Sequence, residues 1–504
     1  MQAIALICLL AYTSLLFVVM FFTSRKADNE SYFIGNRRSP WFVVAYGMIG
    51  ASLSGVTLLS VPGDVYNTQF TYYGIVIGYL IGYAVIALVL LPLYYKLNLT
   101  SIYTYLGQRF GNYSYKTGSL FFIFSRLFGS ALRMYLVIYV LQEFVFSYFG
   151  IPIWLTALLF IVVILLYTFK GGIKTVVWTD TLQTTFLLLA LVLMIVFIRR
   201  SMNAGMGELW QMMSDSGYTR MFNTHWQEHN FFLKQIVSGA FITITMTGLD
   251  QDMMQKNLSC KTLKDSQRNM FVFSGILLIV NMLFLVLGGM LCVYAAQQGL
   301  DLSLMKSDRI LPAIAFDYLP PIAGIVFILG LIAAGYSSAD GTLASLTTVV
   351  CVDFLNIQSH NKTEKEQITI RRITHLIISV LFLAIIIVFA NYHNDALIRI
   401  VFNVASYTYG PLLGMYAFGL FTKRQLKHEK LVPLIAVLSP LICMALYILA
   451  KKGYLGGYQF GFELLLVNGL LTFLGLLAIS KKSADKRWPN FNVNFLAEYH
   501  RYKK

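Results

Sequence analysis

The sequence predicts an all-α polytopic membrane protein with about 13 transmembrane helices. Of its 504 residues, 57% are hydrophobic and only 12% are charged, so a water-soluble domain would lack the polar side chains that cover a surface. The hydrophobic residues come in blocks of about twenty, the length that an α-helix needs to cross a bilayer. Because the polar stretches between the blocks are short, we expect no separate water-soluble domain.

The apolar blocks give the predicted spans in chain order. The first block has no positively charged segment before it and stays apolar for more than twenty residues, so we expect a retained helix and not a cleaved signal. Each later block follows a short polar stretch. The predicted spans are about 3–22, 41–66, 72–95, 117–147, 151–169, 177–198, 232–255, 270–296, 322–352, 373–391, 397–421, 431–450 and 459–479.

The basic residues indicate which side of the membrane each loop faces. With the amino terminus outside, 28 of the 39 Lys and Arg residues fall in inner loops or the carboxyl-terminal tail, and nine fall outside. The remaining two, Arg126 and Arg133, lie within one span. Because inner loops carry the excess of positive charge, we predict the amino end outside and the carboxyl end in the cytoplasm. The net charge of +16 is then a matter of topology, and we expect no nucleic-acid partner.

Several common functional motifs are missing from the sequence. The five cysteines stand singly, with no C-x-x-C pair, and the seven histidines show no H-E-x-x-H spacing. No G-x-x-x-x-G-K-[ST] loop or G-x-S-x-G elbow occurs. We therefore predict no catalytic residues, and a transporter without its own ATPase must use an ion gradient.

Two of the predicted spans are rich in small and hydroxylated residues at their centres. The runs 39–64 and 232–255 both place glycine, serine and threonine where lipid favours strong helix formers. A matched pair of such interruptions in two halves of a chain indicates broken helices at a transport site. The alternative is close helix packing through small residues, which is our interpretation of Gly74, Gly78 and Gly82 on the next span.

The ninth span carries a candidate cation site. Ala334, Ser337 and Ser338 place a backbone carbonyl and two hydroxyls within one helical turn, and a neutral oxygen cage suits a monovalent ion. Further carbonyls come only from an unwound helix, where Gly50 and Leu53 are well placed if the first broken span opens at 47–55. The alternative is that the serines bond to the preceding turn of their own helix.

Five segments spread along the chain resemble the signature segments of the sodium:solute symporter family, in the family's order. The resemblance implies the leucine-transporter type of fold, sodium-driven uptake by alternating access, and Na⁺ as the coupling ion. The segments are YFIGNRRSPWFVV, GGIKTVVWTDTLQ, TGLDQDMMQKNLS, AAGYSSADGTLAS and YGPLLGMYAFGLF.

The resemblance also implies a domain organisation. Residues 1–504 form a single membrane transport domain with two inverted repeats of five helices. The repeats cover 41–198 and 232–421, and they are flanked by an extra amino-terminal helix at 3–22, carboxyl-terminal helices at 431–479 and a cytoplasmic tail at 480–504.

The family's sodium site maps onto the residues already singled out. The resemblance implies that the carbonyls of Gly50, Leu53 and Ala334 and the hydroxyls of Ser337 and Ser338 bind sodium. Gly50 stands where relatives often have alanine, which does not affect a carbonyl ligand.

Asp180 matches a family aspartate near the sodium-site helices, and the resemblance favours a role in ion passage or a second sodium site. The alternative is a surface pair with Lys170 or Lys174. Some relatives that bind a second sodium have serines at the positions of Asp340 and Gly341. We hypothesise that Asp340 either replaces the lost hydroxyls or holds a proton, because an unpaired carboxylate in a span is costly.

Arg133 is the candidate substrate residue. A guanidinium within a span needs a neutralising partner, and its rigid fork suits a carboxylate. The alternative is a structural salt bridge; for Arg126, nearer the cytoplasm, we expect snorkelling or a pair with an inner carboxylate. Arg133 resembles the position at which sialic-acid members of the family hold the substrate carboxylate. The glutamine expected at 76–78 is missing.

Further polar residues are assigned to the substrate and the inner gate. Ser52, Ser54 and Thr57 match hydroxyls that sialic-acid members point at the same ligand, and Asn403 faces the cavity in this hypothesis. Asp250 either lines the inner gate or caps its helix and meets Lys256.

We therefore predict a sodium-coupled symporter that imports a small organic anion, sialic acid or another carboxylate, through the inner membrane of a bacterium. The expected partners are that solute, sodium and the lipid bilayer. A symporter of a neutral sugar or polyol is the main alternative. A membrane sensor without transport activity is the remote one.

Overall fold

The computed structural model describes residues 2–25, 28–357, 362–391 and 407–482, and nearly all of its regular structure is helical. Two short strands, β1 (Gln425–Leu426) and β2 (Ser480–Lys481), pair antiparallel. The α-helices are α1 (Gln2–Thr23), α2 (Asn29–Ile34), α3 (Trp41–Ser52), α4 (Gly55–Thr68), α5 (Tyr73–Val85), α6 (Leu91–Lys96), α7 (Thr104–Phe110), α8 (Asn112–Phe144), α9 (Ile153–Thr168), α10 (Ile173–Met202), α11 (Met206–Asp215), α12 (Phe232–Thr243), α13 (Gln251–Leu258), α14 (Leu263–Gln297), α15 (Ser307–Ala313), α16 (Pro321–Val349), α17 (Glu364–Asn391), α18 (Tyr409–Phe421), α19 (Val432–Lys451) and α20 (Leu464–Ala478).

Wider π-helical turns extend four of these helices. The turn Ile86–Leu90 joins α5 to α6, and Ile244–Gly248, Ile314–Tyr318 and Val350–Phe354 follow α12, α15 and α16. Short 3₁₀ helices fill connections at Gly35–Arg37, Gln69–Tyr72, Phe146–Phe149, Leu302–Leu304 and Glu429–Leu431.

The described residues contain eight helical stretches long and apolar enough to cross a membrane, or nine if α12 and α13 form one bent span. Shorter apolar helices are α3, α9 and α20. The first part of the predicted span 397–421 lies outside the described residues. The all-α polytopic prediction is confirmed, whereas the total of about 13 spans remains a prediction.

Several helices begin earlier than the hydropathy pattern predicts. The predicted span 270–296 belongs to α14, which starts at Leu263 because the Thr262 side chain accepts a hydrogen bond from the Asp265 amide and caps the helix. Likewise, the predicted span 177–198 lies inside α10, which runs over Ile173–Met202. Polar residues at helix ends extend beyond the hydrocarbon region, and an apolar window does not detect them.

The interior is built on α10, which packs against α3 and α16, while α12 packs closely on α5. Our interpretation of the glycines on α5 is confirmed. A Cβ on Gly74, Gly78 or Gly82 would overlap atoms of α12. The two helices therefore approach through small residues, as is common in membrane bundles.

Large apolar side chains are exposed on the outer helices. In water such a surface would aggregate, but in a bilayer it faces acyl chains of similar polarity. Examples are Ile4, Ile7 and Phe22 on α1, Ile377 and Val380 on α17, and Leu434, Leu438 and Leu441 on α19.

Candidate ion and substrate site

The first predicted broken helix is interrupted as expected. Helix α3 ends at Ser52, and Leu53 and Ser54 have extended backbones before α4 begins at Gly55. Helical hydrogen bonding stops at Leu53 N to Ile49 O (2.9 Å) and starts again at Leu58 N to Ser54 O (3.2 Å). The carbonyls from Gly50 to Leu53 lie within this interruption, where an ion can compete for them.

The second predicted broken helix is also interrupted. The stretch Phe232–Gly248 meets α13 at an angle of 67°. Asp250 has an extended backbone and its carboxylate accepts hydrogen bonds from two amides in the first turn of α13. Tyr94 and Tyr103 donate their hydroxyls to the carbonyls of Gly248 and Leu249, at 2.8 and 3.0 Å, so the break is held by side chains from the first half of the chain.

The predicted sodium ligands of the ninth span lie on α16, which packs against both α3 and α4. Ser337 does not bond to the preceding turn, because its Oγ donates to Asp180 Oδ1 at 2.6 Å. A hydroxyl that donates to a carboxylate keeps its lone pairs for a cation. Among the described residues, the Ser338 hydroxyl has no hydrogen-bond partner.

Gly50 allows α3 to approach α10. Its amide donates to Thr184 Oγ1 at 3.0 Å, and Thr184 in turn donates to the Gly47 carbonyl at 3.2 Å. A Cβ at Gly50 would lie 3.3 Å from Thr184 Cα and closer still to the hydroxyl. This contact favours a residue without a side chain at position 50, and it fixes the backbone that carries the predicted carbonyl ligand.

These residues fit a sodium ion by the chemistry of their donors. Two hydroxyls lie on α16, which packs against both helices of a break with uncommitted carbonyls, and neutral oxygens are the ligands that a monovalent cation prefers. The structure brings the elements that carry Gly50, Leu53, Ala334, Ser337 and Ser338 into contact. Coordination by these five residues remains a prediction.

Asp180 lies in the interior of the protein and not at its surface. The carboxylate is fully buried, and Oδ2 lies 2.9 Å from the Lys256 ammonium of α13. The alternative of a surface pair with Lys170 or Lys174 is therefore wrong. The sequence pattern placed Asp180 near those lysines in the chain, but α10 turns its side chain toward α13 and α16.

Asp340 is also fully buried. Its Oδ2 accepts hydrogen bonds from the Tyr167 hydroxyl (2.8 Å) and from Gln183 Nε2 (3.2 Å), and its Oδ1 accepts one from the Gly341 amide (2.6 Å). Within the described part of the chain, no basic group forms an ion pair with it. Hydrogen bonds alone hold this carboxylate in place, and its role in ion binding remains a prediction.

The two arginines of α8 differ in their partners. Arg126 forms a buried ion pair with Asp250 (Nε to Oδ2, 2.9 Å) and with Asp252 (2.8 Å), which confirms the expected pair with an inner carboxylate. Asp250 caps α13 as expected, but it meets Arg126 and not Lys256.

Arg133, two helical turns further along α8, is only partly buried and forms no ion pair with any residue that the structure describes. The structural salt bridge that we considered for Arg133 is thus found at Arg126. One turn beyond Arg133, Val137 packs against Gly55 at the helix break. Ser54 and Thr57 lie at the same break with their hydroxyl oxygens 3.4 Å apart. Asn403 lies outside the described residues.

Sequence reasoning missed Asp252, and it considered Lys256 only as a partner of Asp250. Lys256 was counted among the charges of the inner loops, yet its side chain is 1% exposed. The available signal was their i,i+4 spacing, directly after the small-residue run that marks the second break. Hydropathy cannot detect such residues, because a short helix with two charged residues and a charged cap resembles a loop.

Two broken helices that both contact the serine-bearing helix α16, in a bundle with an apolar outer surface, indicate a secondary transporter. Solved structures share the fold. A substrate-bound, outward-open Na⁺-coupled sialic acid symporter aligns with a TM-score of 0.80 at 22% identity, over 95% of this chain and 99% of the other. A nucleobase-cation-symport-1 family transporter aligns with a TM-score of 0.53 at 14% identity, over 90% and 94%.

The profile of the sodium:solute symporter family matches residues 32–451, and the chain belongs to that family. Among the relatives is the sodium/sialic acid symporter NanT of Aliivibrio fischeri, 25% identical over 86% of each chain. Another is the sodium/sialic acid symporter SiaT of Proteus mirabilis, 25% identical over 82% of this chain and 83% of its own. The predicted family and the leucine-transporter type of fold are confirmed, and the protein is a multi-pass membrane transporter and not an enzyme.

Proposed function

We propose that this protein couples sodium entry to the import of a small organic anion, with sialic acid or a related sugar carboxylate as the first candidate. The observation that carries the proposal is the difference between the two arginines of α8. Arg126 is neutralised by Asp250 and Asp252, whereas Arg133 has no carboxylate within 4.0 Å among the described residues. A guanidinium with no ion-pair partner, one helical turn from the residue that contacts the helix break, is suited to a carboxylate that arrives with the solute.

The hydroxyls at the break would complete the substrate site. Ser52 ends α3, and Ser54 and Thr57 start α4, so all three belong to the segment that Val137 places next to α8. Hydroxyls can donate to or accept from the polar groups of a sugar acid, while Arg133 neutralises its carboxylate. Asn403 completes the proposed set. The sialic acid symporters among the relatives support this choice of solute.

Sodium would bind between the break and α16. The carbonyls of Gly50 and Leu53 come from the broken helix, and Ala334, Ser337 and Ser338 supply oxygens from α16. An ion that joins two elements stabilises the conformation in which they are close, and in this proposal that conformation is the outward-open state. Binding linkage is reciprocal, so the solute must raise sodium affinity by the same factor by which sodium raises solute affinity.

We propose the topology that the basic residues predict, with the amino terminus outside and the carboxyl terminus in the cytoplasm of a bacterial cell. The two inverted repeats, 41–198 and 232–421, would then rock against each other around the sodium and substrate sites. Each repeat begins with a broken helix, which supports this division.

Uptake into proteoliposomes tests the proposed function. The panel is labelled sialic acid, lactate, glucose, inositol and proline, with and without an inward sodium gradient. We expect sodium-dependent uptake of sialic acid or another carboxylate. If no compound shows sodium-dependent uptake, the symport proposal fails. If glucose or inositol is carried and the carboxylates are not, the neutral-solute alternative replaces the anion.

The Ser338→Ala variant tests the sodium site. Loss of one oxygen ligand removes an interaction with a charged group of about 1.5 kcal/mol or more, so the sodium concentration for half-maximal uptake should rise about tenfold. Ser345→Ala is the matched control, because Ser345 lies on the same helix but its hydroxyl bonds to the Thr342 carbonyl of its own turn. Equal sodium dependence in the two variants would contradict the assignment of Ser338.

A further inference from the structure

A buried cluster of charged side chains adjoins the predicted sodium site. Helix α13 brings two carboxylates and an ammonium group against α10 and α16, and α8 adds a guanidinium. Among the described residues, the cluster contains four carboxylates and two cations. The members are Arg126, Asp180, Asp250, Asp252, Lys256 and Asp340.

Each cation of the cluster pairs with two carboxylates, and both pair with Asp252. Arg126 pairs with Asp250 and Asp252, and Lys256 pairs with Asp180 and, at 3.4 Å, with Asp252. Asp340 is close enough to Lys256 to interact with it electrostatically. The positive charge of Lys256 is therefore surrounded by carboxylates on three helices, as the charge of a bound metal ion would be.

Lys256 lies next to the carboxylate oxygen of Asp180 that Ser337 does not contact. One oxygen of Asp180 accepts the Ser337 hydroxyl at 2.6 Å, and the other lies 2.9 Å from the Lys256 Nζ. A single carboxylate thus separates the ammonium from a predicted sodium ligand. A second sodium ion at Asp180 would need the oxygen that Lys256 already holds.

Gly341 makes room for the ammonium. A Cβ at this position would lie 2.8 Å from Lys256 Nζ and would overlap Asp252 Oδ1. A side chain at position 341 would require the ends of the Lys256 and Asp252 side chains to shift. The missing side chain at Gly341 therefore leaves the space that the Lys256 ammonium fills.

We propose that the Lys256 ammonium is a built-in cation that takes the place of a second sodium ion at Asp180, so that one sodium ion enters with each solute molecule. The inference rests on the proposed sodium-coupled function and adds its stoichiometry. An ammonium group held between carboxylates stays charged, and it cannot leave the protein with the solute.

Charge repulsion keeps a second ion out of this position. Two positive charges about 4 Å apart repel strongly enough, at an effective dielectric constant of about 20, to weaken sodium binding about a thousandfold. The oxygens of Asp340 already accept hydrogen bonds from Tyr167, Gln183 and Gly341, so a second sodium ion would have to compete with these donors. The predicted first sodium site uses neutral oxygens, including the Ser337 hydroxyl, on the other side of Asp180 from Lys256.

The stoichiometry determines the driving force. One sodium ion together with a solute carrying one negative charge moves no net charge across the membrane. Accumulation of such a solute should then follow the sodium concentration ratio and be insensitive to membrane potential. With two sodium ions each cycle would move one positive charge inward, and uptake would rise steeply with an inside-negative potential.

Sodium binding to the purified protein tests the inference without any solute. We expect equilibrium dialysis with radioactive sodium to give about one bound ion per chain. The unfolding temperature should rise with sodium concentration as expected for a single binding site. Two ions per wild-type chain would overturn the inference and leave the symport proposal intact. If neither dialysis nor thermal unfolding detects sodium binding, the sodium site itself is overturned, and so is this inference.

The Lys256→Gln variant gives a second, independent result. With the ammonium gone, Asp180 and Asp252 attract a cation from solution, so the bound sodium should rise from about one to about two ions per chain. Lys256→Arg keeps the charge and should still bind one. Lys261→Gln is the control, since Lys261 is an exposed neighbour with the same change in net charge. If Lys256→Gln folds and still binds one sodium ion, Lys256 does not occupy a cation site.

Discussion

Replacement of Arg133 by alanine should nearly abolish uptake of an anionic solute while leaving the fold intact. Truncation of one partner of a desolvated charge pair costs about 2–5 kcal/mol, and the lower end applies here because Arg133 is only partly buried. We therefore expect the half-saturating solute concentration to rise about 30-fold or more. Uptake of labelled sialic acid over a range of concentrations, at saturating sodium, measures the change.

Two further variants separate binding from structure. Arg133→Lys keeps the charge but loses the planar fork, so it should bind the anion with intermediate affinity. Arg309→Ala removes an exposed arginine that pairs with Glu143 at 2.9 Å, and it should change uptake little because exposed pairs contribute under about 1 kcal/mol. If Arg133→Ala takes up sialic acid as well as the wild type does, the assignment of Arg133 to an anion fails. It also fails if the protein transports only a neutral sugar and Arg133→Ala transports that sugar normally.

The helix breaks could be predicted from the sequence because they leave a local signal. A transmembrane helix exposed to lipid cannot contain unsatisfied backbone, so a central run of small and hydroxylated residues indicates backbone that is buried in protein or faces a cavity. Both breaks fall within the predicted runs, at Leu53–Ser54 and at Leu249–Asp250. The serines of α16 were identified in the same way, from oxygen-bearing residues one turn apart.

The ion pairs could not be predicted, because they depend on how distant helices face one another. Asp180 and Lys256 are separated by 76 positions, and nothing local in either segment specifies the other. The positive-inside rule also hides the Asp180–Lys256 pair, because the rule assigns a lysine near an apolar block to a loop. Only the packing of α13 between α10 and α16 shows that this lysine is buried.

A continuous chain of polar contacts links the sodium site to the second broken helix. It runs from Ser337 through Asp180, Lys256 and Asp252 to Arg126. A sodium ion that draws on the Ser337 hydroxyl oxygen acts at one end, and the carboxylate that caps α13 lies at the other. This arrangement offers a physical route by which ion binding can shift α13, and coupling energies between its members would test that route.

The Arg126→Met variant should lose more stability than any other single change discussed. Removal of one partner of a buried pair leaves an uncompensated charge and costs about 3–5 kcal/mol. Asp252 keeps Lys256, but among the described residues Asp250 would retain only hydrogen bonds from two α13 amides and from the Tyr409 hydroxyl at 3.0 Å. The unfolding temperature in detergent should therefore fall by several degrees.

The double variant Arg126→Met/Asp250→Asn isolates the cause of that loss. Asparagine caps a helix about as well as aspartate and carries no charge, so α13 keeps its first-turn hydrogen bonds while the unpaired carboxylate disappears. We expect the double variant to be more stable than Arg126→Met alone, with a coupling energy of at least about 1–2 kcal/mol from the double-mutant cycle. If Asp250→Asn does not restore any of the stability lost in Arg126→Met, then Arg126 stabilises α8 by packing. The chain of contacts from Ser337 would then end at Asp252 and would not reach the cap of α13.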